Sequence, residues 1–348
     1  MPAPSPARRR LRPHPSGREG PGRLHLRDHE ESPARTVAKA CRKDAHRTLS
    51  SYNPAMRIVC KGPYDLRLSW RMLSAFSGRS ASRGGSLALW WEDRPTAIFL
   101  SQTNLQPPVI EIIADPIPRQ TRQFQRHLRT VLNADLELEP FYRRLRRDRT
   151  LRPVVNALVG LKPLRPPDIF QMLVIAVSEQ QISMAAANRI RDRLLASYGT
   201  RAGRLTAFPR PQEIARLSVG ELRDCGLSRR KAEYLIELAG KFERGEIDTR
   251  SWDGLPDHEL IRLLLRHRGV GEWTAEYLLV RGLGRMDVVP AADLGVRKAV
   301  GHYLAGGREL SPREVREALE PWAPWRGLTA FYLLAHYRRI HMGLDQPQ

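Results

Sequence analysis

Residues 256–304 read PDHELIRLLLRHRGVGEWTAEYLLVRGLGRMDVVPAADLGVRKAVGHYL, and this stretch predicts a helix, a hairpin, a helix, a loop and a third helix. The first helix has apolar residues at helical spacing from Leu260 onward. It ends before residues 268–271, RGVG, where two glycines permit backbone conformations that other residues avoid. A second helix is predicted from Glu272 to about Gly282, and its free N–H groups beside the hairpin can hold a phosphate.

The loop after the hairpin ends in Asp293, at the predicted start of an amphipathic helix from Leu294 to Leu304. A helix N-terminus favours the ionised form of a carboxylate. Such a carboxylate can stabilise the positive charge that develops on a sugar during N-glycosidic cleavage, and can orient or deprotonate the attacking water. The alternative role is an ordinary helix N-cap. Asp287, six residues earlier, is predicted to cap or brace the loop.

The segments GVGEWTA (269–275) and VVPAAD (288–293) together resemble the helix-hairpin-helix DNA glycosylases, the HhH-GPD superfamily, and within it the alkylpurine branch of the 3-methyladenine DNA glycosylase II type. The interval from Trp273 to Asp293 is 293 − 273 = 20 residues, as in that branch. The segments CGLSRRKAEYLIELA and EPWAPWRGLTAFYLL also resemble the family, and the resemblance covers most of residues 60–340. It implies a monofunctional enzyme that extrudes an alkylated purine and hydrolyses its glycosidic bond, with Asp293 as the catalytic carboxylate.

Trp273 occupies the position where bifunctional relatives carry a lysine that forms a Schiff base with the sugar, so lysine-dependent strand cleavage is not expected. The resemblance places its indole in the base pocket, where an aromatic face attracts a cationic alkylated purine. Tyr277, at i+4, would form the adjacent wall. The alternative is that both rings belong to the hydrophobic core and have no role in binding a base. Ungapped alignment puts Leu334 where relatives often carry a further aromatic residue, which leaves the substrate range open unless Tyr332, Tyr337 or an aromatic of the β domain replaces it.

DNA contacts are predicted on both sides of the base pocket. Gln180 and Gln181 follow an almost wholly apolar predicted helix, and Gln181 aligns with the residue that fills the gap left by the extruded base in relatives. Ordinary helix termination is an equally open alternative there. The hairpin is expected to hold the DNA backbone 3′ to the lesion through backbone N–H groups and one charge, without reading sequence. Its predicted DNA-binding residues are Arg268, Gly269, Val270, Gly271 and Thr274. The resemblance allows a structural monovalent cation at the hairpin carbonyls, and no catalytic metal or redox cofactor is expected.

The charge of the chain indicates a polyanionic partner. Its 348 residues carry a formal net charge of +21, with 41% hydrophobic residues. This excess favours nucleic acid first and an anionic membrane second, and a genome that favours arginine codons is the alternative cause. No apolar run approaches the ~18 residues of a membrane span. Together with this charge, the resemblance implies double-stranded DNA with damaged bases as the partner, and nothing in the sequence requires more than a monomer.

The three cysteines, Cys41, Cys60 and Cys225, lack metal-ligand spacing and are too few for the four-cysteine iron–sulfur cluster of endonuclease III relatives. They predict a reducing compartment. The N-terminal arginines are not followed by an apolar segment of the kind found in secretory signals, so a cytoplasmic protein acting at the nucleoid is expected.

The predicted fold is mainly α with a small α+β N-terminal domain. Residues 1–55 read as a disordered basic tail rich in Pro and Arg, residues 56–118 as a small antiparallel β domain, and residues 119–345 as an all-helical HhH-GPD domain with the hairpin motif at 256–293. Strands are expected at 65–73, 86–92, 96–101 and 109–113.

Two functions from other classes stay open at the level of sequence. One is a glycosylase for deaminated or oxidised bases. The other is a helix-hairpin-helix protein that binds DNA lesions without cutting a bond.

Overall fold

The structure, a computed structural model, describes residues 56–77 and 85–341; the predicted tail, residues 1–55, lies outside the described residues. The described chain begins with an antiparallel sheet in the order β1-β4-β3-β2. Its strands are β1 Met56–Val59, β2 Gly85–Trp91, β3 Arg94–Leu105 and β4 Pro108–Asp115, with helix α1 Leu66–Ser77 between the first two. The strands predicted at 86–92, 96–101 and 109–113 are confirmed.

One face of the sheet is covered by helix α2, Thr121–Val131. Alternate residues of β4, including Ile110 and Ile112, are fully buried, as expected for a strand with one face in a core. Phe124 and Leu128 of α2 belong to the same core cluster. Helix α2 therefore packs on the sheet, although it follows the predicted domain boundary at residue 118, and that boundary stays a prediction.

The strand predicted at residues 65–73 is wrong, because this segment forms helix α1. The carboxylate of Asp65 caps the helix by accepting a hydrogen bond from the backbone N–H of Leu68 at 2.8 Å. Leu66, Ser69 and Met72 are buried, and their spacing of three residues is helical rather than alternating. The alternating pattern gave the wrong prediction because it assigned Ser69 to the solvent-facing side of a strand. In the structure Ser69 is 1% exposed, and its hydroxyl donates to the carbonyl of Asp65.

The remainder of the described chain is mainly helical. A short hairpin, β5 Thr200–Ala202 and β6 Leu205–Ala207, interrupts it and was not predicted. The helices are α3 Glu139–Leu145, α4 Leu151–Ala157, α5 Ile169–Glu179, α6 Met184–Tyr198, α7 Pro211–Ala215, α8 Val219–Asp224, α9 Arg229–Glu243, α10 Asp257–Leu264, α11 Glu272–Leu278, α12 Leu294–Leu304, α13 Pro312–Leu319 and α14 Arg326–His341.

These helices form two hydrophobic cores. The first contains buried residues of α5, α6, α8, α9, α10 and α11, and the second contains residues of α3, α4, α12, α13 and α14. The hairpin and helix α11 thus belong to the first core, whereas Asp293 begins a helix of the second. The predicted helical architecture is confirmed, and the predicted site lies where the two cores meet. None of the helices in the described ranges has the length and apolar character needed to cross a membrane.

Candidate active site

The hairpin joins α10 to α11 through residues 265–271. Gly269 has φ +85°, and a Cβ there would lie 2.4 Å from Cγ of Tyr234, so both conformation and packing require glycine. Gly271 differs, because its φ of −90° is open to any residue and a Cβ there would meet no atom within 4 Å. The prediction that both glycines permit a backbone conformation that other residues avoid is therefore correct only for Gly269. Gly271 instead leaves the backbone at the start of α11 open to an approaching ligand.

Asp293 is the N-cap of α12 and also a part of the site. Its Oδ1 accepts a hydrogen bond from the backbone N–H of Val296 at 2.9 Å. Its Oδ2 accepts from the indole Nε1 of Trp273 at 3.1 Å, across the 20 residues that separate the two in sequence. The carboxylate is partly exposed. The cap and the catalytic role are thus compatible, since both oxygens are held by neutral N–H groups at a helix N-terminus.

Asp287 braces the loop, as predicted. Its carboxylate accepts from Nε and Nη2 of Arg326 at 2.9 and 2.5 Å and from the backbone N–H of Arg326 at 3.1 Å. Burial raises the pKa of Asp287, but the hydrogen bonds from Arg326 outweigh this and leave the pKa below its usual range. The loop 284–293 is therefore tied to the closing helix α14 at one end and to α12 at the other.

Trp273 and Tyr277 form a stacked pair on α11. Their ring centroids are 5.2 Å apart with an interplanar angle of 20°. Trp273 is half-buried and its indole donates to Asp293, so these two candidate site residues are in contact, while the predicted place of the indole in a base pocket stays a prediction. Burial raises the pKa of Tyr277 above its usual value. The two rings thus form one wall next to Asp293.

A buried charged cluster behind this wall was missed in the sequence. Glu179, the last residue of α5, forms an ion pair with Arg191 at 2.9 Å, and the two side chains are 5% and 7% exposed. Arg281 is also buried, and its guanidinium lies 5.1 Å from the ring centroid of Phe331. A sequence signal existed, since Glu179 is an acidic residue at the end of a helix whose preceding ten residues, 169–178, are nearly all apolar.

The two glutamines after α5 have different environments. The amide of Gln180 donates to the carbonyl of Gly269 at 2.9 Å and to Oγ1 of Thr274 at 3.0 Å. Gln181 is exposed and has φ +55°, an uncommon conformation for a residue other than glycine. Lys231 stabilises the turn, because its ammonium group donates to the carbonyls of Ser178 and Gln180 at 3.0 and 2.6 Å. Gln180 thus anchors the hairpin, and Gln181 is the residue presented outward.

The side chains predicted to hold DNA at the hairpin are not equally accessible. Arg268 is exposed, but Nη2 contacts Glu233 at 3.0 Å and the guanidinium lies over the ring of Tyr234. Val270 and Thr274 are 6% and 2% exposed. Their side chains pack inside the protein, so a DNA contact at these two positions is available only to the backbone. The contacts expected from the sequence were backbone N–H groups and one charge, and these DNA contacts stay a prediction.

Leu334 packs at the start of α12, where its Cδ1 is 3.1 Å from the position that a Cβ on Gly295 would take. The two candidate replacements on α14 lie elsewhere. The hydroxyl of Tyr332 donates to the carbonyl of Leu161 inside the second core, and Tyr337 packs against His302 and His341. Leu334 and Arg338 of α14 therefore both border the cap of Asp293.

Comparisons with known proteins agree with this geometry. The family profile of the HhH-GPD superfamily base excision DNA repair proteins matches residues 174–324. DNA-3-methyladenine glycosylase 1 of Schizosaccharomyces pombe is 34% identical over 167 residues, which are 47% of this chain and 70% of the relative. The DNA-3-methyladenine glycosylase of Bacillus subtilis is 26% identical over 68% of this chain and 80% of its own. The solved 3-methyladenine DNA-glycosylase from Archaeoglobus fulgidus has a TM-score of 0.73 and 27% identity, covering 82% of this chain and 99% of that one.

The hairpin, the capped aspartate and these matches define the class: the chain belongs to the HhH-GPD superfamily of base excision DNA repair proteins. Within that superfamily it falls in the branch of the DNA-3-methyladenine glycosylases, as the resemblance in the sequence implied, and it is a DNA glycosylase.

Proposed function

We propose that this glycosylase is monofunctional and that it excises alkylated purines of the 3-methyladenine type from double-stranded DNA, leaving an abasic site. The observation that carries the proposal is the juxtaposition of Asp293 with the stacked Trp273–Tyr277 pair, joined by the 3.1 Å hydrogen bond from Trp273. The names of the relatives, DNA-3-methyladenine glycosylases, support the same substrate class.

Each part of this arrangement has a defined chemical role. The aromatic faces attract an electron-poor, cationic base once it is extruded from the duplex. The carboxylate of Asp293 stabilises the positive charge that develops on the deoxyribose and orients the attacking water. The reaction needs no metal or redox cofactor, because the base of an alkylated purine is already a good leaving group. A monovalent cation bound by hairpin carbonyls would have a structural role only.

DNA is proposed to bind across the hairpin and the turn after α5. The open backbone at Gly271 faces a phosphate, and the exposed Gln181 fills the gap left by the extruded base. Arg268 must exchange Glu233 for a phosphate in that complex, since its guanidinium is engaged by the carboxylate in the free protein. We further propose that the enzyme acts as a cytoplasmic monomer at the nucleoid.

The test is a base-release assay on methylated double-stranded DNA with wild-type protein and Asp293→Asn. We expect the wild type to release methylated purines and to leave abasic sites that break only on alkaline treatment. We expect no covalent complex after borohydride reduction, because no lysine occupies the position of Trp273. Release from deaminated or oxidised DNA alone favours the other glycosylase specificity. No release from any of these substrates, with DNA binding intact, favours the lesion-binding protein.

A further inference from the structure

The cation of the hairpin is paired with a carboxylate of a neighbouring helix. Nη2 of Arg268 lies 3.0 Å from Oε2 of Glu233 on α9, and the guanidinium carbon lies 5.1 Å from the ring centroid of Tyr234. A second carboxylate of α9, that of Glu237, is 3.9 Å from Nη1 of the same arginine. In the free protein, the side chain that is proposed to hold a DNA phosphate therefore already has an anionic partner.

The pair of Arg268 and Glu233 can be exchanged at a small cost in free energy. Their side chains are 55% and 28% exposed, and ion pairs open to water contribute little to stability. Glu233 also has a second partner, because its Oε1 accepts a hydrogen bond from Nε of Arg229 at 3.1 Å, one helical turn earlier. The carboxylate therefore remains paired when Arg268 leaves it for DNA.

Tyr234 holds the arginine and the hairpin together. A Cβ at Gly269 would lie 2.4 Å from Cγ of Tyr234, so the ring packs against the backbone of the hairpin. The guanidinium of Arg268 lies over the same ring. A ring on one face leaves the edge of the guanidinium, where its N–H groups point, open to an oxygen ligand. Glu233 contacts this edge in the free protein, and a phosphate oxygen forms the same kind of charge-assisted hydrogen bond.

We propose that Glu233 competes with DNA phosphate for Arg268 and thereby limits how tightly the enzyme binds undamaged DNA. The hairpin contact is made with the DNA backbone, so it does not distinguish a damaged site from an undamaged one. A weaker contact lowers the affinity for every site, and undamaged sites far outnumber lesions. Glu233 thus shortens the time spent at undamaged sites and leaves discrimination to the extruded base. The inference rests on the proposed function, since it requires the hairpin to contact DNA.

The experiment is a double-mutant cycle on the dissociation constant for undamaged double-stranded DNA, measured by fluorescence anisotropy at fixed, low salt. Glu233→Gln should bind about 3- to 10-fold more tightly than the wild type, because the phosphate no longer displaces a carboxylate. Arg268→Ala should bind more weakly, with a salt dependence reduced by about one phosphate contact. In the Arg268→Ala background, Glu233→Gln should change the affinity by less than about twofold, since the cation for which it competes is absent.

Glu111→Gln is the matched control for the change in net charge. Glu111 of β4 pairs with Arg57 of β1 at 3.1 Å, and the two side chains are 21% and 66% exposed, so the pair resembles the one at the hairpin but lies in the sheet. This variant should change the affinity by less than about twofold. A second measurement is base release from methylated DNA with undamaged DNA in excess. The competitor should slow Glu233→Gln about 3- to 10-fold more than it slows the wild type.

The outcomes separate this inference from the proposed function. If Arg268→Ala binds DNA as tightly as the wild type, the proposed hairpin contact and the inference are refuted together. If Arg268→Ala weakens binding but Glu233→Gln binds no more tightly than Glu111→Gln, only the inference is refuted. An equal gain in affinity from Glu233→Gln in both backgrounds also refutes it, because the effect then comes from net charge and not from competition for Arg268.

Discussion

The loop between α11 and α12 contains two regions that each centre on an aspartate and differ in what holds the carboxylate. In the clamp region, Asp287 faces the guanidinium of Arg326, with contacts at 2.5 and 2.9 Å. In the site region, Asp293 accepts from neutral N–H groups of Trp273 and Val296. A carboxylate paired with arginine has its charge compensated, whereas one held by dipoles retains it for a cationic sugar. The partners of the two aspartates therefore support a structural role for Asp287 and the proposed catalytic role for Asp293.

The strongest test of this difference is Asp293→Asn. We expect single-turnover base release from methylated DNA to fall by about 10³-fold or more, because the amide carries no negative charge. The amide oxygen can still accept the N–H of Val296, so the helix cap survives. The thermal unfolding midpoint should therefore change by no more than a few degrees, and DNA affinity should remain. Near-wild-type base release by this variant would show that catalysis does not depend on the carboxylate of Asp293.

The hairpin before α11 contains a residue that we expect to matter for structure alone. Gly269→Ala should lower the free energy of unfolding by about 2–4 kcal/mol, since alanine is strained at φ +85° and its Cβ would overlap the ring of Tyr234. Gly271→Ala is the matched control and should change it by less than about 0.5 kcal/mol. The measurement is urea unfolding of both variants.

DNA binding gives the opposite order for the two glycines. Gly271→Ala should weaken the affinity for double-stranded DNA, because the methyl group occupies the open backbone face at the start of α11. Equal stability losses at both positions would contradict the distinction between a glycine required by the fold and one required by the ligand.

The hairpin and the site region could be predicted from sequence because the residue patterns that specify their backbone are local. The hairpin and the cap at Asp293 follow from glycines, helix periodicity and a single aspartate at a helix start. The helix at 65–73 could not be distinguished from a strand, because burial of Ser69 depends on Asp65 and on the packing of the sheet. Periodicity alone does not identify which face of a short segment is buried.

Buried polar partners were the other limit of prediction. Gln180 donates to the hydroxyl of Thr274 across 94 residues of sequence, and neither residue has a local signature for the other. The same holds for Lys231, whose ammonium group donates to the carbonyls of Ser178 and Gln180. Pairs of this kind are set by tertiary packing, so one sequence shows the residues but not their pairing.

A substitution in the clamp region should lower stability and leave activity nearly unchanged, the reverse of the effect expected for Asp293→Asn. Asp287→Asn removes the charge that compensates Arg326 and should lower the free energy of unfolding by about 1–2 kcal/mol, a value limited by the partial exposure of both side chains. Base release per folded molecule should stay within about threefold of wild type. A large loss of activity at unchanged stability would show that Asp287 shares the catalytic role.

The smallest expected effect is on the pH dependence of stability, and it tests whether the clamp acts through charge. The pKa of Asp287 in the folded protein lies below its ordinary value of 3.8. Its ionised form therefore stabilises the fold above about pH 4, and this contribution is lost as the pH falls through the folded pKa. Urea unfolding of wild type and Asp287→Asn between pH 6 and pH 3 should give a difference in free energy that is constant at the upper end and shrinks towards the lower end. A difference that does not change with pH would mean that the geometry of the hydrogen bonds, rather than the charge, holds the loop to α14.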